Sequence, residues 1–248
     1  MIQAVIFDMD DTLISWRESY VPWNDLNIRA WEPLYSHLKQ SGYSLPELNH
    51  VVDTYTEQVY AAWESAEPPE WVCPNQQMII QQTLAFHELP IDALDMGDLL
   101  NRYNWNLAPG VVAFKEAIPV LTTLREMGLK TGLLTNSAVP MWMRDRELQA
   151  LGLKDYLDVR RSAGDIGRLK PHPQAFQVML DLLSVAPDEA IYVGDNPHAD
   201  VIGAQSVGMR SVWYRQPGLE LNGQKPNAVI DNLNQLLIVL DNWYPGWR

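Results

Sequence analysis

Short apolar runs that end in polar residues alternate with helix-spaced apolar positions through the second half of the chain. Ala4–Phe7, residues 130–134, residues 190–193 and Arg210–Tyr214 each read as a buried strand. Val159–Ser162 is a weaker fifth run, interrupted by Arg160 and Arg161. Helical patterns separate these runs. One helix is predicted from Pro119, with Leu121, Leu124 and Met127 behind it and Gly128 as its stop. A second starts at Pro140, carries Leu148 and Leu151, and ends at Gly152. A third starts at Pro173, with Phe176, Met179, Leu180 and Leu183 on one face. Strand alternating with helix predicts an α/β fold: a Rossmann-like parallel sheet with helices on both faces.

The pattern changes between the first run and the rest. Leu48, Val51, Val52, Tyr55 and Val59 recur at helical spacing after Pro46. Leu99, Leu100 and Tyr103 do the same, with Asp92 as the expected cap. Pro33 interrupts a helical stretch at 31–38, which predicts a kink or a restart there. Pro68-Pro69 marks a loop. The expected organisation is therefore an α/β core of residues 1–14 and 108–248, with an inserted all-helical cap at 15–107.

Composition narrows the partners. The 248 residues carry a net charge of −13, with 18 Lys and Arg against 31 Asp and Glu. Nucleic-acid binding needs clustered basic charge, so no nucleic-acid partner is expected. An anionic ligand would need a metal ion and one or two placed basic residues. The ten Trp read first as packing residues. The single cysteine, Cys73, permits no internal disulfide and fits a cytoplasmic location. The N-terminus lacks the pattern of a signal peptide, and no apolar stretch is long enough to suggest a membrane partner.

Ligands of open α/β sheets bind beyond the carboxyl ends of the strands. The residues found there are Asp8, Asp10 and Thr12, then Thr135 and Asn136, then Asp195 and Asp200, with Lys170 in a loop before a helix. Carboxylates suit Mg²⁺, and hydroxyl, amide and ammonium groups suit phosphate oxygens. Taken one at a time these residues are ordinary. Thr135-Asn136 could cap a helix, Asp195 and Asp200 could cap the next, and Lys170 could be a solvated loop residue. Asp-x-Asp alone is a weak motif.

Together they resemble the haloacid dehalogenase (HAD) superfamily, in the subfamily with a helical cap after the first motif and phosphoglycolate phosphatase-like members. Phe7-Asp8-Met9-Asp10-Asp11-Thr12-Leu13 is similar to the first motif, and Leu133-Leu134-Thr135-Asn136-Ser137 to the second. Leu169-Lys170-Pro171 and Val193-Gly194-Asp195 through Asp200 are similar to the third and fourth. The resemblance implies that Asp8 attacks phosphorus and that Asp10 is the acid and base. It implies Mg²⁺ on the side chains of Asp8 and Asp195 and the backbone carbonyl of Asp10. Thr135 and the Asn136 backbone would hold phosphate, and Lys170 would neutralise charge. Asp200 would support the metal site or Lys170, and Thr12 would orient Asp10. Asp11 stands where many relatives carry glycine. His172 and His198 are read as structural or exposed.

The resemblance implies a magnesium-dependent phosphatase acting on a small soluble phosphomonoester, as a monomer or homodimer. Asp10 argues against dehalogenation, because the dehalogenases lack it. A phosphosugar mutase or a haloacid dehalogenase of the same superfamily, and a non-catalytic phosphate-binding regulator, remain alternatives. A phosphonatase is disfavoured because Lys39, the one lysine of the insertion, has no motif around it. The cap residues nearest the site are expected to be Trp16, Arg17, Tyr20 and Trp23, with Arg102 and Trp105 on the returning side. They would suit an anionic or ring-bearing leaving group, with Arg17 as a substrate contact.

Overall fold

The computed structural model describes residues 1–248. β1 (Ala4–Phe7) leads through a turn into a two-residue strand, β2 (Ile14–Ser15). Four helices follow: α1 (Trp23–Gln40), α2 (Leu48–Glu64), α3 (Gln76–Phe86) and α4 (Met96–Arg102). β3 (Val112–Ala113) returns and pairs antiparallel with β2. Strand and helix then alternate. The order is α5 (Ala117–Glu126), β4 (Lys130–Thr135), α6 (Met141–Ala150), β5 (Val159–Ser162), α7 (Ala163–Ile166) and α8 (Pro173–Leu183). The chain ends with β6 (Ala190–Gly194), α9 (Gly203–Ser206), β7 (Arg210–Tyr214), β8 (Ala228–Ile230) and α10 (Asn234–Trp243).

Six strands form one parallel sheet in the order β5-β4-β1-β6-β7-β8. Alternate residues of β1 face opposite sides. Val5 and Phe7 join a cluster with Leu121, Leu124 and Leu236, while Ala4 and Ile6 join one with Phe176, Met179 and Leu180. Burial on both faces is why these strands read as unbroken apolar runs. From β1 the chain moves outward to β4, and from β6 it moves the other way to β7. The order therefore reverses between β1 and β6, which opens a crevice at their carboxyl ends.

The helices α1–α4 have a core of their own, built on Trp31, Leu34, Val52, Tyr55, Ile80 and Tyr103. Val139 and Met143, from the start of α6, complete it. The insertion is thus seated on the helix that follows β4. The β2–β3 ribbon brackets its two connections. Gly110, at φ 82°, lies against the backbone of Glu18, where a Cβ would stand 2.1 Å from the Glu18 carbonyl oxygen.

Several local expectations are corrected. α1 runs unbroken through Pro33 rather than restarting, because Ala30, Trp31 and Leu34 anchor that turn in the insertion core. Asp92 lies in a 3₁₀ turn; the cap of α4 is Asp95, whose side chain accepts from the Asp98 amide at 2.9 Å. α5 begins two residues before Pro119, which falls in the first turn, where a missing N–H leaves no bond broken. β8 and α10 were not foreseen: β8 is a three-residue, half-buried edge strand with too few positions to show a period. Trp31, Trp105 and Trp213 of the ten Trp are buried, Trp16, Trp63, Trp71, Trp243 and Trp247 pack half-buried against the cores, and Trp23 and Trp142 are exposed. No helix is long and apolar enough to cross a membrane.

Candidate active site

Asp8 is the first residue beyond β1, and its side chain is buried. The Lys170 ammonium lies 2.5 Å from Asp8 Oδ1 and 2.8 Å from Asp200 Oδ1, and it donates to the Tyr192 hydroxyl at 3.0 Å. That hydroxyl donates in turn to the Leu134 carbonyl at 2.9 Å. Burial works to depress the Lys170 pKa, but Asp200 and Asp8 hold it well above the usual lysine range. Lys170 is therefore a fixed cation. Its loop is clasped by Asn136, whose amide donates to the Lys170 carbonyl at 2.9 Å and accepts from the Lys170 N–H at 2.8 Å.

The segment after β6 supplies the remaining carboxylates. Residues Pro197–Ile202 form a π-helical turn, with Asn196 accepting from the amides of His198 and Ala199. This turn brings Asp200 back across Gly194, where a Cβ would stand 2.2 Å from the Asp200 carboxylate. Glycine at 194 is thus required by close approach. Asp200 Oδ2 accepts from the Asn196 N–H at 2.9 Å, so both its oxygens are engaged.

Carboxylate oxygens of Asp8, Asp195 and Asp200 lie within 4.8 Å of one another. The Asp195 carboxylate accepts no hydrogen bond, although its backbone carbonyl accepts from Trp213 Nε1, and the Asp8 carboxylate accepts one only at Oδ1. Burial raises the pKa of Asp8, and neighbouring Asp200 and Asp10 add to that against the pull of Lys170. Burial also raises Asp195, with Asp8 and Asp200 adding to it. Two crowded carboxylates with unpartnered oxygens fit a hard divalent cation such as Mg²⁺, and Asp200 is the member that Lys170 already satisfies.

Asp10 is held differently. Its Oδ1 accepts from Trp16 Nε1 and from Arg144 Nη2, each at 2.7 Å, and its Oδ2 accepts from the Thr135 hydroxyl at 3.2 Å. Burial opposes ionisation here. The Arg144 charge and these three hydrogen bonds prevail and hold Asp10 below the usual carboxylate range. Arg144 Nε is also 2.8 Å from Glu147 Oε2, a close ion pair that is not aligned as a hydrogen bond. Glu147 is fully buried, and burial pushes its carboxyl up to about 7.

Thr12 does not orient Asp10. Its hydroxyl is buried without a hydrogen-bond partner, and Trp16, Arg144 and Thr135 occupy the positions around Asp10. Asp11 adopts a left-handed φ of 54°, a conformation that glycine takes most readily and Asp tolerates. Arg17 is not a cavity residue. It is exposed and donates to the Gln216 side chain, which donates to the Asp11 carbonyl. Arg102 is paired with Asp98, and Tyr20 is exposed. His172 caps α8, and His198 lies against the Trp71 ring.

A cavity of about 550 Å³ opens between Asp10 and the insertion. Trp16, Trp23, Trp63 and Trp105 line it, with Tyr55, Tyr103 and Gln76. Trp16 stacks on Trp23 at 5.3 Å between ring centroids, and Trp23 on Trp105 at 6.2 Å.

A family model described as haloacid dehalogenase-like hydrolase matches residues 5–214. The chain belongs to this family. It is 31% identical over 135 residues to the pyrophosphatase PpaX of Bacillus cereus (strain G9842), a match covering 53% of this chain and 61% of that protein. The fold is similar to a HAD phosphatase from Thermococcus onnurineus, with a TM-score of 0.61, 25% identity, and 96% and 98% of the two chains covered. It is also similar to a 2-haloacid dehalogenase from Pseudomonas syringae pv. Tomato, with a TM-score of 0.64, 27% identity, and 98% and 100% covered. Two different reactions thus sit on closely similar folds, and side chains must distinguish them.

For this haloacid dehalogenase-like hydrolase, sequence reading missed Arg144, Glu147 and Tyr192. Arg144 and Glu147 were legible as charges on a buried stripe, since Met141, Arg144 and Leu148 share one face of α6. Tyr192 stood out as a hydroxyl inside an aliphatic strand.

Proposed function

We propose that the chain is a magnesium-dependent phosphatase that hydrolyses a small phosphomonoester through a phosphorylated Asp8. The observation that carries this reading is the division between two acids on one turn. Asp8 is locked beside Lys170 and next to unpartnered Asp195, while Asp10 faces the cavity. A dehalogenase needs no second acid, and the resemblance supplies none at that position in dehalogenases.

In this mechanism an oxygen of Asp8 attacks phosphorus, the bond to the leaving oxygen breaks, and Asp10 gives that oxygen a proton. Water then attacks the aspartyl phosphate, Asp10 takes the water's proton, and inorganic phosphate leaves. Lys170 offsets the negative charge that would keep phosphate from Asp8. Bound Mg²⁺, on the carboxylates of Asp8 and Asp195, would supply further positive charge for the phosphoryl oxygens. The second step uses Asp10 in the ionised form that Arg144, Trp16 and Thr135 favour. The first uses the protonated form, which the Arg144 contact opposes, so leaving-group protonation is the step most sensitive to that contact.

The test measures phosphate release from a generic aryl phosphate. The expected result is turnover with Mg²⁺, loss with excess chelator, and recovery when Mg²⁺ is restored. Chloride release from 2-chloropropionate without phosphate release would replace this reading with dehalogenation. Tight phosphate binding without turnover would make the chain a regulator.

A further inference from the structure

The cavity beside Asp10 differs sharply from the phosphate site in its charge. Twelve of its twenty lining residues are hydrophobic, so its surface favours an apolar occupant. Arg144 is its only basic lining residue, and it is committed to Asp10 and Glu147. Asp10 and Asp11 add two carboxylates to the same wall. An anionic leaving group would meet these carboxylates with no free cation to offset them. The two arginines expected near the insertion's base do not help, since Arg17 is bound to Gln216 and Arg102 to Asp98.

The walls are flat. Trp16, Trp23 and Trp105 form a row of stacked indoles, and Trp23 stays 59% exposed at its edge. Trp23 is the middle ring, with Trp16 and Trp105 on its two faces, and its open edge can meet one more ring edge-on. The floor is polar but uncharged. The Tyr55 hydroxyl lies 3.0 Å from that of Tyr103, and Gln76 Nε2 donates to Tyr55 at 2.8 Å. All three residues are buried, and their hydroxyl and amide groups can meet neutral polar substituents.

We infer that the preferred substrates are phosphomonoesters of an uncharged alcohol carrying a flat ring, which lies against the Trp16–Trp23–Trp105 row. This inference rests on the phosphatase reading and names its substrate class. The volume, about 550 Å³, holds a one- or two-ring leaving group. Small acidic phosphates and pyrophosphate are poor fits.

The experiment uses the full chain with Mg²⁺ and five substrates: 2-naphthylmethyl phosphate, ethyl phosphate, phosphoglycolate, pyrophosphate and guanosine 5′-monophosphate. The first two release primary alcohols, so their difference reads the ring. The expected kcat/KM for the naphthylmethyl ester exceeds that for ethyl phosphate by about tenfold or more, the scale of one aromatic stacking contact. Trp23→Ala should lower that ratio about tenfold, chiefly through KM. A guanosine 5′-monophosphate arm separates nucleoside from other ring-bearing alcohols, and better turnover of either ring substrate than of ethyl phosphate supports the inference. Equal efficiency for ring and ethyl esters, or preference for phosphoglycolate or pyrophosphate, overturns the inference while the phosphatase reading stands. If no ester is turned over, the phosphatase reading fails. Tryptophan quenching then decides the pocket: tighter binding of the naphthylmethyl ester than of ethyl phosphate keeps the ring preference, and equal binding ends it.

Discussion

The floor of the site and the wall of its cavity are built on opposite principles. The floor is charged and tied together through Lys170: Asp8, Asp200 and Tyr192 are buried and each bonded to its ammonium. The wall is mostly hydrophobic, with six aromatic residues, and comes chiefly from the residues after β2 and from the insertion. Positions in the floor are determined by directional bonds, so small displacements there break several contacts at once. Ring packing in the wall tolerates change. On the proposed phosphatase reading the contrast puts reaction chemistry in the core and selection in the insertion, and it predicts that substitutions in the two regions differ in kind.

The sharpest break of that contrast comes from the floor. Asp8→Asn should reduce turnover of every phosphate ester by about 10⁴-fold or more, since an amide oxygen is a poor nucleophile. Phosphate release from ring and ethyl esters should fall alike, with the thermal transition preserved. Selective loss on one substrate would move Asp8 from the reaction to recognition.

Lys170→Met comes next. It removes the cation from between two buried carboxylates and leaves Asp8 and Asp200 facing each other. Breaking a buried pair in this way costs about 3–5 kcal/mol. The loss should appear as a lower urea midpoint measured in chelator, where no added cation offsets the carboxylates, together with lost activity. A stability change near zero would show that the floor is not held by Lys170.

These floor residues were legible in the sequence because each sits at the end of an apolar run. Asp8, Thr135 and Asp195 close β1, β4 and β6 within a residue or so, and parallel strands deliver such ends to one edge. All five strands predicted from the sequence are in the sheet, with β4 and β6 each extended by one residue. The wall was less legible. Trp16, Trp23 and Trp105, expected at the insertion's base, do line the cavity, but Tyr55, Trp63 and Gln76 lie mid-insertion and only helix packing brings them there. Arg17 was favoured because it is basic and near Asp10 in sequence. A hydrogen bond to Gln216, 199 residues away, turns it elsewhere, and no local pattern encodes that. Thr12 failed for a similar reason: the groups that hold Asp10 come from α6, β4 and the residue after β2.

Glu147 tests the seam between the two regions, because it lies under Arg144 beside Trp105. Its carboxyl is raised from 4.5 to about 7. Between those pH values the folded chain holds a proton that the unfolded chain has released. Stability therefore falls as pH rises from about 4.5 through about 7, by on the order of 3 kcal/mol from this group. Glu147→Gln should flatten that decline, so it gains on wild type at pH 8 relative to pH 5. Urea titrations at the two pH values measure it. Parallel changes at both would show that Arg144 keeps Glu147 ionised throughout.

The smallest effect is expected at Arg17, and it bears directly on where selection resides. Arg17 is exposed, its guanidinium is bound to Gln216, and it does not line the cavity. A surface side chain of this kind contributes within about 0.5 kcal/mol of stability. Arg17→Ala should therefore shift the urea midpoint little and leave the ratio of ring to ethyl ester efficiency as in wild type. Trp23 offers the contrast, since it too is mostly exposed yet stands in the middle of the indole row that lines the cavity. If selection lies in the aromatic wall, Trp23→Ala changes the ratio and Arg17→Ala does not. If Arg17→Ala instead lowers efficiency on charged esters alone, an anionic group reaches the outer mouth of the site, and the division between a charged floor and a largely apolar wall would have to be redrawn there.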